Sequence, residues 1–264
     1  MAFRMNQVGA LEYSTAECLE GAAHCFSTRL GGVSKDHTAS LNLFVSHGDT
    51  EENVRQNYRI LGDAVGFTPE QTVFTKQRHT DIIRVVTQEN CGEGLEREVP
   101  EICDGQITDC PGVALVTFSA DCTPILLFDP VRRAIGAVHA GWRGTAQGIA
   151  AKAVDAMVQE FGCQRGDIRA AIGPCISKCC FETDEDVPHA ILEALGPKAV
   201  SAFTQTGEKY HVDLKFCNAL WLQRAGIGAL DISTDCTACD LDRYWSHRKM
   251  GDLRGSLAGV IMLK

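Results

Sequence analysis

The sequence predicts an α+β fold built as a single compact domain over residues 1–264. Three observations lead to this prediction. Short apolar runs bounded by turn residues alternate with stretches of helical period. Hydrophobic residues make up 45% of the chain and charged residues 22%, which is typical of a globular protein with its own core. No internal repeat, low-complexity run or long linker marks the start of a second domain.

Short apolar runs that end at glycine, proline or aspartate predict the strands. They lie in residues 24–34, 72–86, 113–119, 124–130, 134–141, 169–177 and 255–263. Within residues 72–86, a polar interruption that carries Gln77 and His79 separates two strands. A further short apolar piece covers residues 40–50, and the polar, acidic residues 87–101 predict a loop.

Four stretches predict helices. Residues 51–66 place Val54, Tyr58 and Leu61 on one face, with Thr50 as a suitable N-cap. The clearest helix is predicted from Thr145 to Gly162, because this stretch is rich in alanine and ends at a glycine. The remaining helices are predicted in residues 184–196 and, after a strand end, in residues 211–227.

Charge and cysteine content exclude several classes of protein. The net charge of −9 argues against broad binding to the phosphate backbone of nucleic acids. No stretch approaches the roughly 20 apolar residues that cross a bilayer, and the first ten residues do not resemble a signal peptide. The 13 cysteines, an odd number, therefore predict free thiols in the reducing cytoplasm. The sequence leaves both a monomer and a homodimer open.

A predicted hairpin brings a cysteine close to a histidine. If the strands 122–128 and 133–139 pair symmetrically around residues 129–132, Cys122 lies directly opposite His139. Side chains in such a pair have Cβ atoms about 4.5–5.5 Å apart, so both could bind one tetrahedral metal ion. Arg143 lies beside the predicted helix start, where an anion could bind, although a surface ion pair is the simpler role.

Packing alone remains an alternative for these residues, because cysteine is commonly a small buried hydrophobe. Neither periodicity nor spacing places His79 beside the other two.

A second group of cysteines also needs an interpretation. Cys175, Cys179 and Cys180 together with the pair Cys236-x-x-Cys239 could form a structural zinc site, but their irregular spacing favours ordinary buried or loop thiols.

Several motifs resemble one known family, described either as multicopper polyphenol oxidase (laccase-like) or as purine nucleoside phosphorylase of the YfiH/LACC1 type. The resemblance covers about residues 24–263. It rests on the motifs FSTRLGGVS, SLNL, HGD, KQRH, ADCTPILLFDP, AVHAGWRGT, AAIGPCI and HVDL, in this order. The resemblance implies a layered fold in which mixed and antiparallel sheets pack together and are flanked by helices.

The resemblance also implies a metal site and an activity. It assigns a zinc ion to His79, Cys122 and His139, and these three residues are our predicted catalytic residues. It implies phosphorolysis of adenosine, inosine, guanosine and methylthioadenosine, and hydrolytic deamination of adenosine. The predicted partners are therefore purine nucleosides and phosphate. The predicted substrate-binding residues are Arg29, Asn42, Gln77, Asp121, Arg143 and Arg248.

Three other functions remain open at this stage. Cys122 and His139 could act as the nucleophile and base of a metal-free cysteine hydrolase. Copper could occupy the same three ligands, since Cu²⁺ competes well for such donors, and would support phenol oxidation. The eight histidines contain no H-x-H pair of the kind that multicopper clusters use, which disfavours this oxidase. A metal-stabilised binding module without turnover is the last alternative.

Overall fold

The computed structural model describes residues 3–45 and 48–264. Residues 46 and 47, in the predicted apolar piece 40–50, lie outside the described residues. The strands are β1 (Phe3–Val8), β2 (Leu11–Ala16), β3 (Ala23–Ser27), β4 (Thr72–Phe74), β5 (Ile83–Val85), β6 (Gly105–Thr108), β7 (Ala114–Ser119), β8 (Thr123–Asp129), β9 (Ala134–Ala140), β10 (Arg169–Ile172), β11 (Glu182–Thr183), β12 (Phe203–Thr206), β13 (Lys209–Val212), β14 (Ala229–Ile232) and β15 (Leu257–Met262).

The α-helices are α1 (Glu51–Val65), α2 (Trp142–Ala146), α3 (Ile149–Phe161), α4 (Asp186–Leu195), α5 (Leu214–Arg224) and α6 (His247–Met250). Helix α1 begins as predicted, because the side chain of Thr50 accepts a hydrogen bond from the backbone N–H of Asn53. No helix within residues 3–45 and 48–264 is long and apolar enough to cross a membrane.

Two six-stranded sheets form the centre of the molecule. The first sheet has the strand order β1-β2-β3-β15-β7-β4, the second has the order β14-β10-β8-β9-β6-β5, and a small third sheet has the order β11-β13-β12. Most neighbours are antiparallel, but β4 and β7, β5 and β6, and β10 and β14 pair in parallel. The predicted α+β class with mixed sheets is confirmed.

Strand side chains divide the core into layers. Alternate residues of the first sheet, such as Val260, pack against α1, whereas Ile261 faces the second sheet. In the second sheet, Leu126 faces the first sheet and Leu127 packs towards α3 and α5. The order of layers is therefore α1, first sheet, second sheet, then α3 with α5, which matches the expected sandwich of packed sheets flanked by helices.

Two connections cross from the first sheet to the second, and both carry predicted site residues. The chain leaves β4 in the first sheet, passes through residues 75–82 with His79, and enters β5 in the second sheet. It crosses again between β7 and β8, where Cys122 lies. This topology brings two distant segments to one end of the sandwich.

The predicted register of the β8–β9 hairpin was wrong by two residues. In the structure Asp129 pairs with Ala134 and Pro124 pairs with His139, so Cys122 is not directly opposite His139. The loop has four residues as predicted but begins one residue later, at Pro130, because Asp129 ends β8 and its Oδ1 accepts hydrogen bonds from the backbone N–H groups of Val131 and Arg132. A shift of two residues keeps the side chains of Cys122 and His139 on the same face of the sheet, so they still approach each other diagonally.

The helix predicted from Thr145 to Gly162 is interrupted. Its first part belongs to α2, which begins earlier at Trp142, and α3 begins only at Ile149. Gly148 separates them with a left-handed backbone, φ +75°, and packs against the indole of Trp221. Arg143 is therefore inside α2 rather than before a long helix. The predicted end at Gly162 is confirmed.

Candidate metal centre and cavity

His79, Cys122 and His139 meet at the end of the sandwich where the chain crosses between the sheets. Their potential ligand atoms all lie within 4.8 Å of one another, and Sγ of Cys122 is 3.7 Å from Nε2 of His79. The centroids of the two imidazole rings lie 5.0 Å apart. Two imidazole nitrogens and one thiolate are a donor set that suits zinc or copper. The residues therefore fit a metal ion with three protein ligands.

Unusual backbone conformations bring these side chains together. His79 has φ +61° and Asp121, just before Cys122, has φ +96°, which are uncommon values for residues other than glycine. Gly141 follows β9 and lies against the ring of His79. A Cβ atom at this position would lie 2.4 Å from Cδ2 of His79 and 3.4 Å from Sγ of Cys122. The absence of a side chain at Gly141 is thus a geometric requirement of the site.

A buried carboxylate positions both histidines. Asp104, between β5 and β6, accepts hydrogen bonds from the backbone N–H groups of Arg78, His79 and Thr80 at 2.8–3.2 Å. It also accepts one from the hydroxyl of Thr80 at 2.7 Å. Its Oδ1 is 2.8 Å from Nδ1 of His139. Because Nδ1 donates to this carboxylate, Nε2 of His139 is left to bind a metal.

Electrostatics at the centre favour a thiolate. Burial raises the pKa of the Cys122 thiol, but His139 and His79 outweigh this effect and lower it to about 6. Burial lowers the pKa of His139, whereas the Cys122 sulfur and the Asp104 carboxylate raise it to about 9. Burial also raises the pKa of Asp104, but hydrogen bonds from His139 and Thr80 hold it well below its usual value. Cys122 can therefore act as a metal ligand or as a nucleophile.

The three residues line a cavity of about 700 Å³ that opens to solvent. Its wall includes four aromatic rings, Phe44, Phe118, Trp142 and Phe181. It also includes the cationic side chains of Lys76, Arg78, Arg143, Arg248 and Arg254. Asp121 is the single carboxylate among the described lining residues. The cavity is thus cationic although the chain carries a net charge of −9.

Comparison with known proteins identifies the family. The family model described as "Multi-copper polyphenol oxidoreductase laccase" matches residues 23–264. The chain belongs to this family. The YlmD protein of Geobacillus stearothermophilus, named a purine nucleoside phosphorylase, is 35% identical over 247 residues, which cover 91% of this chain and 90% of that protein.

Two further relatives extend the comparison. Mouse "Purine nucleoside phosphorylase LACC1" is 34% identical over 250 residues; the match covers 91% of this chain, which spans only 55% of the mouse protein. The crystal structure of Bacillus licheniformis YfiH superposes with a TM-score of 0.93 at 33% identity, covering 98% of this chain and 99% of that one. The layered fold described above is therefore the fold of the family.

Four of the six predicted substrate-binding residues line the cavity. Gln77, Asp121, Arg143 and Arg248 belong to its wall, whereas Arg29 and Asn42 do not. Arg29 donates to the carbonyls of Leu241 and Ala39 and stacks on Trp245, 3.7 Å from the ring centroid. The buried side chain of Asn42 donates to Phe44 and Asp49 and accepts from Ser256. These two side chains hold loops together.

Two of the lining residues, Gln77 and Asp121, use most of their polar side-chain atoms in hydrogen bonds to other parts of the protein. Oε1 of Gln77 accepts from the backbone N–H of Phe118 at 2.7 Å, and Nε2 donates to its carbonyl at 3.0 Å. Asp121 accepts from the hydroxyls of Thr237 and Ser246 and from the backbone N–H of Arg248. Asp121 therefore fixes the segment that carries Arg248 beside Cys122.

Sequence reasoning missed two residues of the site. Asp104 belongs to none of the recognised motifs. Its role is visible only in the structure, where its side chain lies under the loop that contains His79. Arg254 lines the cavity and donates through Nη1 to the carbonyl of Gly255 at 2.9 Å. Burial lowers its pKa, but arginine remains charged at neutral pH. The basic character of residues 247–254 was visible in the sequence but had no geometric context.

Proposed function

We propose that this chain is a zinc-dependent purine nucleoside phosphorylase that also deaminates adenosine. The proposed substrates are adenosine, inosine, guanosine and methylthioadenosine, and the products of phosphorolysis are the free base and ribose 1-phosphate. One observation carries the proposal: the His79, Cys122 and His139 cluster lies in the wall of a cavity with five cations and one carboxylate. The names of the relatives support the phosphorylase activity in this proposal.

The cations of the cavity suit inorganic phosphate. Arg143 and Arg254 offer planar guanidinium groups that bind phosphate oxygens in pairs. The Nη2 group of Arg254 has no hydrogen-bond partner within the described part of the chain. In the proposed reaction a phosphate oxygen bonds to C1′ of the ribose while the bond from C1′ to the purine nitrogen breaks. The guanidinium groups hold the phosphate in line for this attack.

The aromatic side chains suit the nucleobase. Phe118 packs 4.7 Å from Phe44 and 4.8 Å from Phe74, measured between ring centroids, so its position is fixed. A planar purine can stack on such rings, and phosphate needs no such surface. The cavity volume of about 700 Å³ is within the range of small-molecule sites. Apolar and cationic surface in one cavity therefore matches a nucleoside together with phosphate.

The metal centre has three protein ligands and faces the cavity, which is the arrangement of catalytic rather than structural zinc sites. When bound there, zinc supplies Lewis acidity and can activate water for the hydrolysis of adenosine at C6. Asp104 orients His139, and the Cys122 thiolate contributes the negative charge that retains the cation. Copper suits the same donors, and elemental analysis separates the two metals.

A cysteine hydrolase is the second candidate, because one specific observation favours it. The ligand atoms of Cys122 and His139 lie within 4.8 Å of each other, and His139 is hydrogen-bonded to Asp104, which resembles a nucleophile, its base and an orienting carboxylate. The additional contact of Cys122 with His79 favours a metal site, since a nucleophile needs only one base. An active metal-free protein that is inhibited by thiol alkylation would favour the hydrolase.

The decisive test is turnover of purified protein with inosine and adenosine, each with and without inorganic phosphate. We expect hypoxanthine and ribose 1-phosphate from inosine only when phosphate is present, and inosine plus ammonia from adenosine without it. A His139→Ala variant should lose the zinc bound at this site and both activities. Full turnover by a zinc-free protein would contradict the proposal.

A variant of a predicted phosphate ligand tests the subsite. Arg254→Gln should raise KM for phosphate at least tenfold, because one charged hydrogen bond contributes about 1.5–3 kcal/mol. KM for the nucleoside should change far less. Arg59→Gln is the matched control, since Arg59 lies exposed on α1 outside the cavity. An equal change of both KM values would contradict the assignment.

We further propose that the protein acts in the cytoplasm. Thirteen cysteines, an odd number, persist as thiols most readily in a reducing compartment. A thiolate ligand at Cys122 has the same requirement, because oxidation would remove it from the metal. Titration of freshly purified protein should therefore detect all 13 cysteines as free thiols, with none in a disulfide.

A further inference from the structure

A second group of cysteines lies outside the cavity. Cys179 and Cys180 belong to the turn after β10, and Cys236 and Cys239 belong to the segment after β14. The four sulfur atoms all lie within 4.8 Å of one another. Sγ of Cys239 is 3.5 Å from that of Cys179 and 3.3 Å from that of Cys180. The two segments are about 60 residues apart in the sequence, so the fold itself brings them together.

The geometry fits a tetrahedral ion. Zinc–sulfur bonds of about 2.3 Å place the sulfurs of a tetrahedral site about 3.8 Å apart. Two of the sulfur separations in the structure, 3.3 and 3.5 Å, are slightly shorter than this value, and none of the others exceeds 4.8 Å. The backbone also prepares the site, because the N–H group of Ser177 donates to Sγ of Cys236 at 3.3 Å. Hydrogen bonds of this kind orient and stabilise thiolate ligands.

We propose that Cys179, Cys180, Cys236 and Cys239 bind a structural zinc ion, distinct from the metal centre at Cys122. Four thiolates leave no open position, which is the arrangement of structural zinc sites. Binding displaces the thiol protons into solvent and leaves a complex of charge −2. Cys175, the fifth member of the group considered from sequence, is buried away from these sulfurs and donates to the carbonyl of Ile176.

The proposed ion would join a segment that lines the cavity to a second segment that contacts Asp121 in the cavity wall. Ile176 and Phe181 flank the adjacent cysteines and line the cavity. The carbonyl of Cys180 accepts a hydrogen bond from Nη1 of Arg248 at 3.2 Å, and Arg248 also lies over the ring of Phe181. On the other segment, the hydroxyl of Thr237 donates to Asp121 at 2.6 Å. The ion therefore stabilises the wall that carries Arg248 and Phe181.

Other contacts between these segments are backbone hydrogen bonds from Ser233 to Ile172 and from Thr237 to Cys175, and Lys215, which donates to Ser177 and to the carbonyl of Asp235. The segments share an isolated β-bridge between Cys175 and Cys236, and the small core around them contains Ile176, Cys236 and Ala238. Cys179 and Cys239 are exposed. Because so little apolar surface is buried here, metal binding would supply much of the local stability.

The experiment measures zinc per chain by elemental analysis of the full-length protein purified under reducing conditions. We expect two zinc ions in the wild-type protein and one fewer in Cys239→Ser, whose side chain is exposed. Cys110→Ser is the matched control and should keep the wild-type content, because Cys110 is distant from both clusters. Cys239→Ser should also lower Tm, whereas the control should not.

Cobalt substitution provides a second readout, because the absorption of bound cobalt reports how many thiolates hold it. Cobalt bound to four thiolates gives strong charge-transfer absorption, and the site of Cys122 contributes only one thiolate. His139→Ala should therefore keep most of this absorption, and Cys239→Ser should lose most of it.

The results separate this inference from the proposed function. The four-cysteine site is supported if His139→Ala keeps one zinc ion per chain and Cys239→Ser contains one zinc ion fewer than the wild type. This holds even if no phosphorolysis is found. Equal zinc content in Cys239→Ser and the Cys110→Ser control would overturn the inference. A disulfide between any two of the four cysteines in freshly reduced protein, in place of a metal, would overturn it as well.

Discussion

At the scale of single residues, Asp104 has the widest influence on the candidate active site. Its carboxylate has both oxygens occupied, one by His139 and the loop of His79, the other by Thr80 and Arg78. Two of the three proposed metal ligands therefore depend on one buried group. Such outer carboxylates commonly tune metal affinity, because they fix the orientation and the tautomer of the ligating imidazole.

Asp104→Asn should lower zinc affinity at the His79, Cys122 and His139 site by about 10–100-fold. An amide offers one acceptor atom where the carboxylate offers two, so either the loop or His139 loses its partner. Competition with a chromogenic chelator measures the affinity. Asp109→Asn, on the exposed end of the same segment, should bind zinc like the wild type. Unchanged affinity in Asp104→Asn would remove Asp104 from the site.

Gly141→Ala should reduce the zinc content of the same site. The added methyl group would meet Cδ2 of His79 at 2.4 Å, so the ring must move away from Cys122. The matched control is Gly166→Ala, because no atom lies within 4 Å of a Cβ at Gly166. Elemental analysis of both variants tests this expectation. If Gly141→Ala binds as much zinc as Gly166→Ala, the close approach of His79 is not required.

At the scale of elements, the β8–β9 hairpin decides how Cys122 and His139 meet. Its loop is held by Asp129, whose Oδ1 accepts two backbone N–H groups at 2.8 and 3.0 Å. Arg133 adopts a left-handed backbone, φ +54°, at the end of the loop. The four-residue loop therefore begins after Asp129 rather than at it, and the hairpin register follows from this turn rather than from the symmetry of the apolar pattern.

Asp129→Ala should destabilise the protein by about 1–3 kcal/mol, because two backbone N–H groups of the loop each lose a hydrogen bond that contributes about 0.5–1.5 kcal/mol. Asp129→Asn keeps a side-chain oxygen at the same position and should retain most of the stability. Urea unfolding followed by far-UV circular dichroism measures the difference. Equal midpoints for the alanine variant and the wild type would show that the apolar pattern alone sets the register.

At the scale of the whole molecule, charge is distributed unevenly. The chain carries a net charge of −9, yet the cavity wall contains five cations against one carboxylate. The cations come from three separate segments, around residues 76–78, 143 and 248–254. A cationic cavity in an acidic protein attracts small anions.

If the cavity binds phosphate as proposed, KM for phosphate should rise with ionic strength, because salt screens these cations. Raising the salt concentration to about 1 M shortens the screening length to about 3 Å and should increase this KM several-fold. KM for the uncharged nucleoside should stay nearly constant. Steady-state rates with potassium chloride as the varied salt provide the test. Arg254→Gln should show a shallower dependence on salt than Arg59→Gln.

Much of the fold was accessible from the sequence. Apolar runs and helical periods located most strands and helices, including α1 with its cap at Thr50, because these signals are local. The polar N-terminal hairpin of β1 and β2 gave no such signal, since β1 is largely exposed at the sheet edge. The break at Gly148 was also missed, because Trp221, far away in the chain, packs against it.

By itself, the sequence determined the α+β class, the family and the residue types of a metal site. The family resemblance named His79 together with Cys122, but only the tertiary structure showed how their side chains meet, that Asp104 lies beneath both histidines, and that four other cysteines converge. The physical reason is the range of the interactions. Backbone hydrogen bonding and side-chain periodicity act over a few residues, whereas these sites arise where the chain crosses between two packed sheets and distant segments meet.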